Sequence, residues 1–424
     1  MGSARWSALM VLCFFLNTTG QAQARIETSE SSLGGTMPYL APLLAAERAA
    51  SVPPAAGAPE PAARVDKSAW DRLAVLRAFV GDTDGAISAK DRADGAQRGG
   101  QAAALQIGDG VTAQNAIDAI VEQARGRRVV LINENHHVPM HRAFTRKLAA
   151  ALRKIGYRYL ACETFNPADG DMQASTPGYV SERTGTYTRD PVFAGMVNAA
   201  LADGWQLVPY EYEMMPTPGQ SPRQRLEERE LGQARELVER IFAKDKNAKV
   251  LIHVGNHHLA KSLPGDTALP VMMGEHLRRL TGLDMLHVDQ TPFYAHPDAG
   301  QEWPPYARLI EKFPSSEPVI LRSPDGKPLV IGMQGRVDMQ VIFPRYGAHG
   351  ARPDWLRSPL GRTPRPVPAL LLPKQGRRLI KAFRTDDRPD AVPADIVLVE
   401  AGKPAPVLML PSGQFRFAVE NEGG

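Results

Sequence analysis

The sequence predicts an α/β fold: a parallel sheet flanked by helices on both faces, with a small β-rich C-terminal appendage. Three features of the 424-residue chain indicate it. From Thr112 onward, short apolar runs alternate at least four times with amphipathic segments, a pattern typical of a parallel sheet covered by helices. The runs are continuously apolar, which suits strands buried on both faces. After residue 315, strand-like pieces replace the alternation.

The composition of the region before this alternation predicts little regular structure. Residues 25–64 are rich in Ala, Pro, Ser and Gly without a sustained period, so we expect a flexible leader, and 65–80 then form one amphipathic helix. Thr112 is expected to cap a helix that Gly126 ends. We divide the chain into a signal peptide (1–24), a flexible leader with one helix (25–111), an α/β catalytic domain (112–345) and a β-rich C-terminal region (346–424).

Within the α/β domain, the boundaries follow from apolar runs and helix caps. Pro139 opens a helix that Gly156 closes, and Ser221-Pro222 is typical of a helix N-terminus. The predicted strands are 128–133, 158–163, 205–211, 248–255 and 284–289, and the predicted helices are 139–155, 191–203, 222–245 and 271–281. Further strand-like pieces are PVILR, KPLVIGM and DMQVIFP, then IVLVE, APVLML and FRFAVE near the C-terminus.

The first residues are typical of a secretory signal. Arg5 precedes an apolar stretch too short to span a bilayer, and Ala22-Gln23-Ala24 fits a cleavage site. We therefore expect a periplasmic or secreted protein without a stable membrane anchor. Cleavage would leave only Cys162, so no internal disulfide can form. The net charge of +4 is scattered along the chain, which argues against nucleic-acid binding.

Ionisable residues follow four predicted strands, at the edge where open parallel sheets bind ligands. The set, in chain order, is Glu134, His136, His137 and His141 after the first strand, Glu163 after the second, Glu211 after the third, and His253 and His258 at the fourth. Four successive strands ending in Glu or His predict one shared site.

Three carboxylates at one sheet edge need a compensating positive charge. Arg229 on the long charged helix is the natural arginine. Protonated histidine and a divalent transition metal (Zn, Mn or Fe) are the alternatives. The metal would be held by His136 or His137, Glu163 and His258, with Glu134 or Glu211 as general base. Without a metal, Glu134 or Glu163 would orient a histidine that deprotonates water. HExxH and GxSxG are absent, so zincin and serine-esterase sites have no support.

Five short motifs resemble the superfamily that joins erythromycin esterases, ChaN-type haem-binding proteins and Tiki/TraB proteases. They are INENHHVPMH (132–141), ACETF (161–165), PYE (209–211), Arg229-Glu230 and VGNHHL (254–259). Asn133 stands where the superfamily has glycine, and the similarity spans about residues 113–292. Resemblance to the esterases implies metal-independent hydrolysis through histidine and glutamate. Resemblance to the Tiki-type proteases implies a divalent metal, and resemblance to the ChaN-type members implies haem.

Two functions from different classes are therefore expected. The first is an exported hydrolase that activates water at the Glu/His cluster to cleave an ester, lactone or amide bond of a small molecule or peptide. The second is a haem- or iron-binding protein of metal uptake, with His136 or His137 as axial ligands and His141 and His253 as further cofactor contacts. A third possibility is an interaction protein whose C-terminal region carries the function.

Overall fold

The computed structural model describes residues 25–26, 37–52, 66–95, 107–166, 179–215, 218–265, 270–358 and 360–423. The signal peptide predicted over 1–24 lies outside the described residues. The strands are β1 (Arg25–Ile26), β2 (Thr112–Asn115), β3 (Val129–Glu134), β4 (Tyr159–Cys162), β5 (Gln206–Pro209), β6 (Val250–Gly255), β7 (Met285–Phe293), β8 (Val319–Arg322), β9 (Met339–Ile342), β10 (Ala348–His349), β11 (Arg352–Pro353), β12 (Thr363–Arg365), β13 (Arg377–Arg384), β14 (Asp395–Glu400), β15 (Leu408–Leu410) and β16 (Phe415–Asn421).

The α-helices of the described residues all lie within the first three quarters of the chain. They are α1 (Leu40–Ala50), α2 (Lys67–Phe79), α3 (Thr83–Asp94), α4 (Ala116–Ala124), α5 (Pro139–Arg153), α6 (Pro191–Ala202), α7 (Pro222–Leu237), α8 (Met273–Thr281) and α9 (Pro305–Lys312). Most of the predicted elements from α5 to β7 agree with the structure within a few residues.

An eight-stranded sheet with the order β2-β8-β9-β7-β3-β6-β4-β5 forms the centre of the fold. Neighbouring strands from β9 to β5 pair in parallel, whereas β8 is antiparallel to both β2 and β9. The predicted α/β class is confirmed, with one mixed edge. That edge arises because β8 follows β7 and α9 late in the chain and returns beside β2.

Helices cover both faces of this sheet, as the continuous apolar runs predict. Val130 and Ile132 of β3 pack with α4, α5 and α6, whereas Val129 and Leu131 pack with α7 and α8. Successive strand side chains point to opposite faces, so a strand between two helical layers must be apolar at every position.

Three boundaries of the α/β domain differ from the predictions. Thr112 does not cap a helix, because 112–115 form β2 and Asn115 caps α4 by accepting from the Ile117 N–H. The helix expected over 222–245 ends at Leu237 and continues as a π-helical turn over Val238–Phe242. KPLVIGM (327–333) does not form the expected strand, and only Pro328 makes an isolated β-bridge. Pro328 has no backbone N–H to donate to a strand ladder, and Gly332 has a positive φ of 74°.

The leader expected to hold one helix contains α1, α2 and α3. Tyr39, Leu40 and Leu43 pack against Leu379 of β13 and Ile396 of β14, so α1 is stabilised by partners far away in the sequence. Its N-terminus is capped by a distant carboxylate: the backbone N–H of Leu40 donates to Glu420 Oε2 at 2.7 Å. The hydrophobic pattern of a short sequence segment cannot indicate either the packing on distant strands or the cap by a distant carboxylate.

The C-terminal region is β-rich, as predicted. Strands β16, β13 and β14 form an antiparallel sheet to which β1 adds in parallel, and β10–β11 and β12–β15 form two small ladders. Cys162 is buried in the core beneath α5 and α6. Among the described helices, none combines the length and apolar character needed to cross a bilayer.

Candidate active site

The strand register brings the predicted site residues to one edge of the sheet. Glu134, the last residue of β3, pairs with Gly255, the last of β6. Cys162 of β4 lies opposite His253 of β6 and, on its other side, opposite Pro209 of β5. The chain segments that carry Glu163, Glu211 and His258 therefore leave the sheet next to Glu134.

Glu134 is buried at the centre of a charged network. Its Oε2 accepts from Arg142 Nε at 2.6 Å and its Oε1 from Arg142 Nη2 at 2.7 Å. Arg142 Nη1 donates to Asp190 Oδ2 at 2.7 Å, so one buried guanidinium holds two carboxylates. His253 Nε2 lies 2.9 Å from Glu134 Oε2. Burial acts to raise the pKa of Glu134, but Arg142 holds this pKa well below its ordinary value.

His136 is oriented by this carboxylate. Its Nδ1 lies 2.8 Å from Glu134 Oε1 and its ring stacks on Tyr187 at 3.9 Å between centroids. Since Glu134 is ionised, it accepts a hydrogen bond from Nδ1–H, and Nε2 of the neutral ring is left as the base. The Arg142 guanidinium also donates to the His136 carbonyl at 2.8 Å, which fixes the backbone of this residue.

His136 and Glu163 meet over the backbone of Gly255. A Cβ atom at residue 255 would lie 2.6 Å from His136 Nε2 and 3.0 Å from Glu163 Oε2. The Gly255 N–H donates to Glu163 Oε2 at 2.6 Å. Glycine is therefore required here by space, because any side chain would enter the place where the two functional groups approach each other.

Arg229 on α7 joins Glu163 to Glu211. Its Nη2 donates to Glu163 Oε1 at 2.6 Å and to Glu211 Oε2 at 2.6 Å, while its Nε donates to Glu211 Oε1 at 2.9 Å. Burial acts against ionisation of Glu163, but His258, His136 and Arg229 lower its pKa to about 2. The arginine is thus the compensating charge expected for neighbouring carboxylates.

His258 stands on the other side of Glu163. Its Nε2 lies 3.6 Å from Glu163 Oε1, and its Nδ1 lies 2.5 Å from Oε1 of the buried Glu230. Glu230 also accepts the backbone N–H of Met273 at the start of α8. Burial works to lower the pKa of His258, but Glu230 and Glu163 raise it above its ordinary value. This histidine is the group most suited to carry a proton.

Solvent reaches these three side chains only partly. The side chains of His136, Glu163 and His258 are 19, 10 and 14 % exposed. A cavity of about 630 Å³ has Glu163, Tyr187, Glu211 and Arg229 in its wall. His136 stacks on Tyr187 and His258 lies against Glu163, so both histidines adjoin this wall without being part of it. The volume of the cavity is that of a site for a small organic ligand or a short peptide segment.

The remaining predicted histidines lie below this cluster. His137 and His141 are buried, and burial lowers the pKa of both, that of His141 to about 3. His253 is buried between Glu134 and the ring of Phe193. Like His136 and His258, none of the three is in the wall of the cavity. The haem-binding alternative stays a prediction from the sequence.

The expected metal ligands do not form an open metal site. Both oxygens of Glu163 already accept strong hydrogen bonds, one from the Arg229 guanidinium and one from the Gly255 N–H. Nδ1 of His258 faces Glu230. Across the described ranges, no group of three His, Cys, Asp or Glu side chains is arranged to hold a metal ion. These residues do not fit a divalent metal, because the Arg229 guanidinium already supplies the positive charge beside Glu163.

Four residues of the candidate site are not among those predicted from the sequence. Glu230 follows Arg229 directly, and the Arg-Glu pair was the available signal. Arg142 follows His141, but the hydrophobic pattern of a helix does not show whether an arginine in it is buried or exposed. Asp190 precedes Pro191, a sequence typical of a helix N-cap, and in the structure Asp190 does cap α6. Tyr187 lies in an irregular segment without any pattern.

Comparisons with known proteins add structural likenesses only. No protein-family model matches the chain, and no curated protein sequence is similar enough to match. Among solved structures, the type III effector HopBA1 is 14 % identical with a TM-score of 0.29, over 46 % of this chain and 95 % of HopBA1. The MARTX toxin effector domain RRSP from Vibrio vulnificus CMCP6 is 17 % identical with a TM-score of 0.28, over 41 % of this chain and 37 % of that chain.

A third solved structure, described as bacterial protein toxins, is 16 % identical with a TM-score of 0.30. The match covers 53 % of this chain and 46 % of that one, so the chain spans less than half the length of two of these three proteins. At these TM-scores no function is carried from them to this chain.

Proposed function

We propose that this protein is an exported hydrolase that cleaves an ester, lactone or amide bond with water activated by His136. The observation that carries the proposal is the position of His136. A buried carboxylate orients its ring, and its second ring nitrogen meets Glu163 and the Gly255 backbone beside a cavity. A histidine held by an ionised carboxylate is the arrangement used for general-base catalysis.

In the proposed reaction, His136 Nε2 removes a proton from water as the oxygen attacks the carbonyl carbon. Glu134 keeps Nδ1 protonated and stabilises the imidazolium that forms, because its own pKa is held low by Arg142. Glu163 is a weak base at a pKa of about 2, so it orients groups rather than accepting the proton. The negative charge on the carbonyl oxygen needs a donor nearby.

Arg229 and His258 supply the positive side of the reaction. Arg229 uses Nε and Nη2 for Glu163 and Glu211, so Nη1 has no hydrogen-bond partner among the described residues and can donate to the carbonyl oxygen. His258, with its raised pKa, donates its own proton to the leaving group as the carbon–heteroatom bond breaks, and exchange with solvent then removes the proton from His136 and restores that of His258. One histidine as base and another as acid is the separation of roles that tuned pKa values permit.

The resemblance to erythromycin esterases supports the metal-independent form of this proposal. Five guanidinium hydrogen bonds to carboxylates at the strand ends also support it, since they already balance the charge of Glu134, Glu163 and Glu211. A periplasmic or secreted location is part of the proposal and rests on the signal-like residues 1–24.

The test compares single variants on a panel of chromogenic esters, lactones and peptide anilides. His136→Ala and His258→Ala are each expected to lower kcat/KM at least about 100-fold, the lower range for loss of an acid or base. His257→Ala is the matched control, because His257 is an exposed neighbour of His258 and is expected to leave turnover unchanged. A folded His136→Ala protein with wild-type turnover would refute the proposal.

A further inference from the structure

A second cavity, separate from the proposed active site, lies between α6 and the C-terminal region. Its volume is about 360 Å³. On one side it is lined by the small residues Ala194, Gly195 and Ala199 of α6, and on the other by Arg362 and Arg384. Arg146 of α5 completes the wall, so we call this cavity the arginine pocket, defined by Arg146, Arg362 and Arg384 around α6.

Arg362 is buried without a carboxylate of its own. Arg362 is only 5 % exposed. Its guanidinium donates to two backbone carbonyls, those of Met409 at 3.4 Å and Pro191 at 3.2 Å. The nearest carboxylate, Asp395, lies 3.8 Å away and already accepts from Arg352 at 2.8 and 3.1 Å. A buried charge with such weak compensation is costly unless a further anion approaches it.

Arg146 adds a second positive charge to the same wall. It is half-buried, and it makes no hydrogen bond or ion pair with any other residue that the structure describes. Burial lowers the pKa of Arg146, while Asp203 acts to raise it. Burial also lowers the pKa of Arg362; Asp395 and Asp190 act against this shift, and the charges of Arg352 and Arg146 add to it. The charge of Arg146 therefore acts against that of Arg362, and among the described residues no carboxylate is hydrogen-bonded to either guanidinium.

One acidic residue lines the pocket and does not neutralise it. Asp387 accepts the backbone N–H of Arg384 at 2.8 Å, and burial together with Asp386 raises its pKa. The pocket thus carries more positive than negative charge. Such an excess in a concave, partly buried site attracts anions.

The shape of the pocket also fits a ligand. A Cβ atom on Gly195 would lie 3.3 Å from Arg362 Nη2, so the helix face is kept small where it faces the guanidinium. Val180, Val392 and Pro411 form apolar parts of the wall. Guanidinium groups next to an apolar wall are suited to an anionic group attached to a small organic body.

We propose that the arginine pocket binds a small organic phosphate, with the phosphate group held by Arg146 and Arg362 and the organic part against the apolar wall. The cavity of about 360 Å³ is larger than a phosphate ion needs and matches a phosphorylated sugar. Guanidinium forks bind phosphate oxygens in pairs, which gives both affinity and orientation. This binding site is independent of the proposed hydrolysis at the strand ends.

The test is isothermal titration of the full chain with inorganic phosphate, pyrophosphate and ribose 5-phosphate at about 0.15 M ionic strength. Ribose 5-phosphate is expected to bind more tightly than inorganic phosphate. Arg146→Gln should weaken its binding at least about tenfold, whereas Arg158→Gln, an exposed arginine outside the pocket, should not change it. Arg362 is avoided, because its replacement in the interior can prevent folding.

Two further variants make the result unambiguous. Ala199→Leu narrows the pocket without changing charge and is expected to weaken ribose 5-phosphate binding as well. Arg229→Gln tests whether the probe binds at the strand ends instead and is expected to leave binding unchanged. The proposal is overturned if ribose 5-phosphate shows no binding up to about 10 mM. It is also overturned if Arg146→Gln and Ala199→Leu bind like the wild type, or if Arg229→Gln alone removes binding.

Discussion

At Gly255 the absence of one side chain decides the geometry of the proposed site. The place of its missing Cβ lies within 3.0 Å of atoms of both His136 and Glu163. Gly255→Ala is therefore expected to displace the two side chains, to abolish most activity and to lower the free energy of unfolding by about 1–3 kcal/mol. Activity assays and denaturant unfolding measure the two effects.

Gly126→Ala is the matched control for that substitution. Nothing lies within 4 Å of the Cβ position at Gly126, and its φ is not positive. It should keep wild-type activity and stability. A Gly255→Ala protein that behaves like Gly126→Ala would show that His136 and Glu163 have room to separate, contrary to the geometry described.

Glu230 is expected to set the pH range of the reaction through His258. Glu230→Gln keeps a side-chain oxygen for the Met273 N–H but removes the charge that raises the pKa of His258. The acid form of His258 would then be lost at a lower pH. We expect the alkaline limb of the kcat/KM profile to move to lower pH, while Glu227→Gln, a change on the exposed side of α7, leaves it in place. An unmoved limb in Glu230→Gln would contradict the role of His258 as acid.

Residues at strand ends could be predicted from the sequence, and their partners could not. Glu134, Glu163, Glu211 and His258 follow directly from the rule that parallel strands present their carboxyl ends together. The choice between His136 and His137 depends on which way each side chain turns after β3. The structure turns His136 towards Glu134 and buries His137, a difference that spacing alone does not encode.

At the scale of elements, α7 presents two adjacent residues to two different groups. Arg229 contacts Glu163 and Glu211, and Glu230 contacts His258 and the start of α8. The helix begins with a capping box, in which Ser221 and Gln224 exchange side-chain-to-backbone hydrogen bonds. The position of both functional residues therefore depends on a well-formed helix start.

Ser221→Ala is expected to lower the free energy of unfolding by about 1 kcal/mol, because it removes the acceptor for the Gln224 N–H. Thermal or chemical unfolding measures the change. Ser88→Ala is the control, since Ser88 is exposed inside α3 and alanine is the better helix former there. Equal stabilities of Ser221→Ala and wild type would mean that the first turn of α7 is held by other contacts.

Buried strands were the elements most readily predicted, and the N-terminal helices were the least. A strand between two helical layers must be apolar throughout, so β3 and β6 are visible in the sequence. Helix α1 is rich in Ala and has only a narrow apolar stripe, Leu40, Leu43 and Ala46. Its stability comes from the C-terminal sheet, and composition alone made the same residues look like a leader.

At the scale of the whole molecule, α1–α3 and the C-terminal sheet form a shared core. Leu43 is buried against this core with Leu379 and Ile396. Leu43→Ala is expected to lower the free energy of unfolding by about 2–5 kcal/mol, the range for a buried leucine. Leu370→Ala, at a position that is 61 % exposed, should have little effect. Chemical denaturation compares the two, and similar midpoints would mean that the N-terminal helices do not add to the stability of the fold.

Protonation is expected to destabilise the molecule as the pH falls. His141 is buried in its neutral form with a pKa lowered to about 3, so the unfolded chain takes up a proton first, and stability declines below about pH 6.5. Glu163, with a pKa lowered to about 2, adds a further loss as the pH falls below about 4.5. Thermal melting at about pH 7 and pH 5 should give the lower Tm at pH 5. His141→Phe should reduce this difference, and an unchanged or larger difference would contradict the assignment.

The pairing of the N-terminal helices with the C-terminal sheet has a consequence for biosynthesis. Tyr39 donates its backbone N–H to Glu420, 381 positions later in the chain. Since domains fold as the ribosome delivers them from the N-terminus, α1–α3 emerge long before β13, β14 and β16 exist. Their apolar faces therefore lack Leu379 and Ile396 as packing partners until those strands have been synthesised, so strands made late in translation complete helices that were made early.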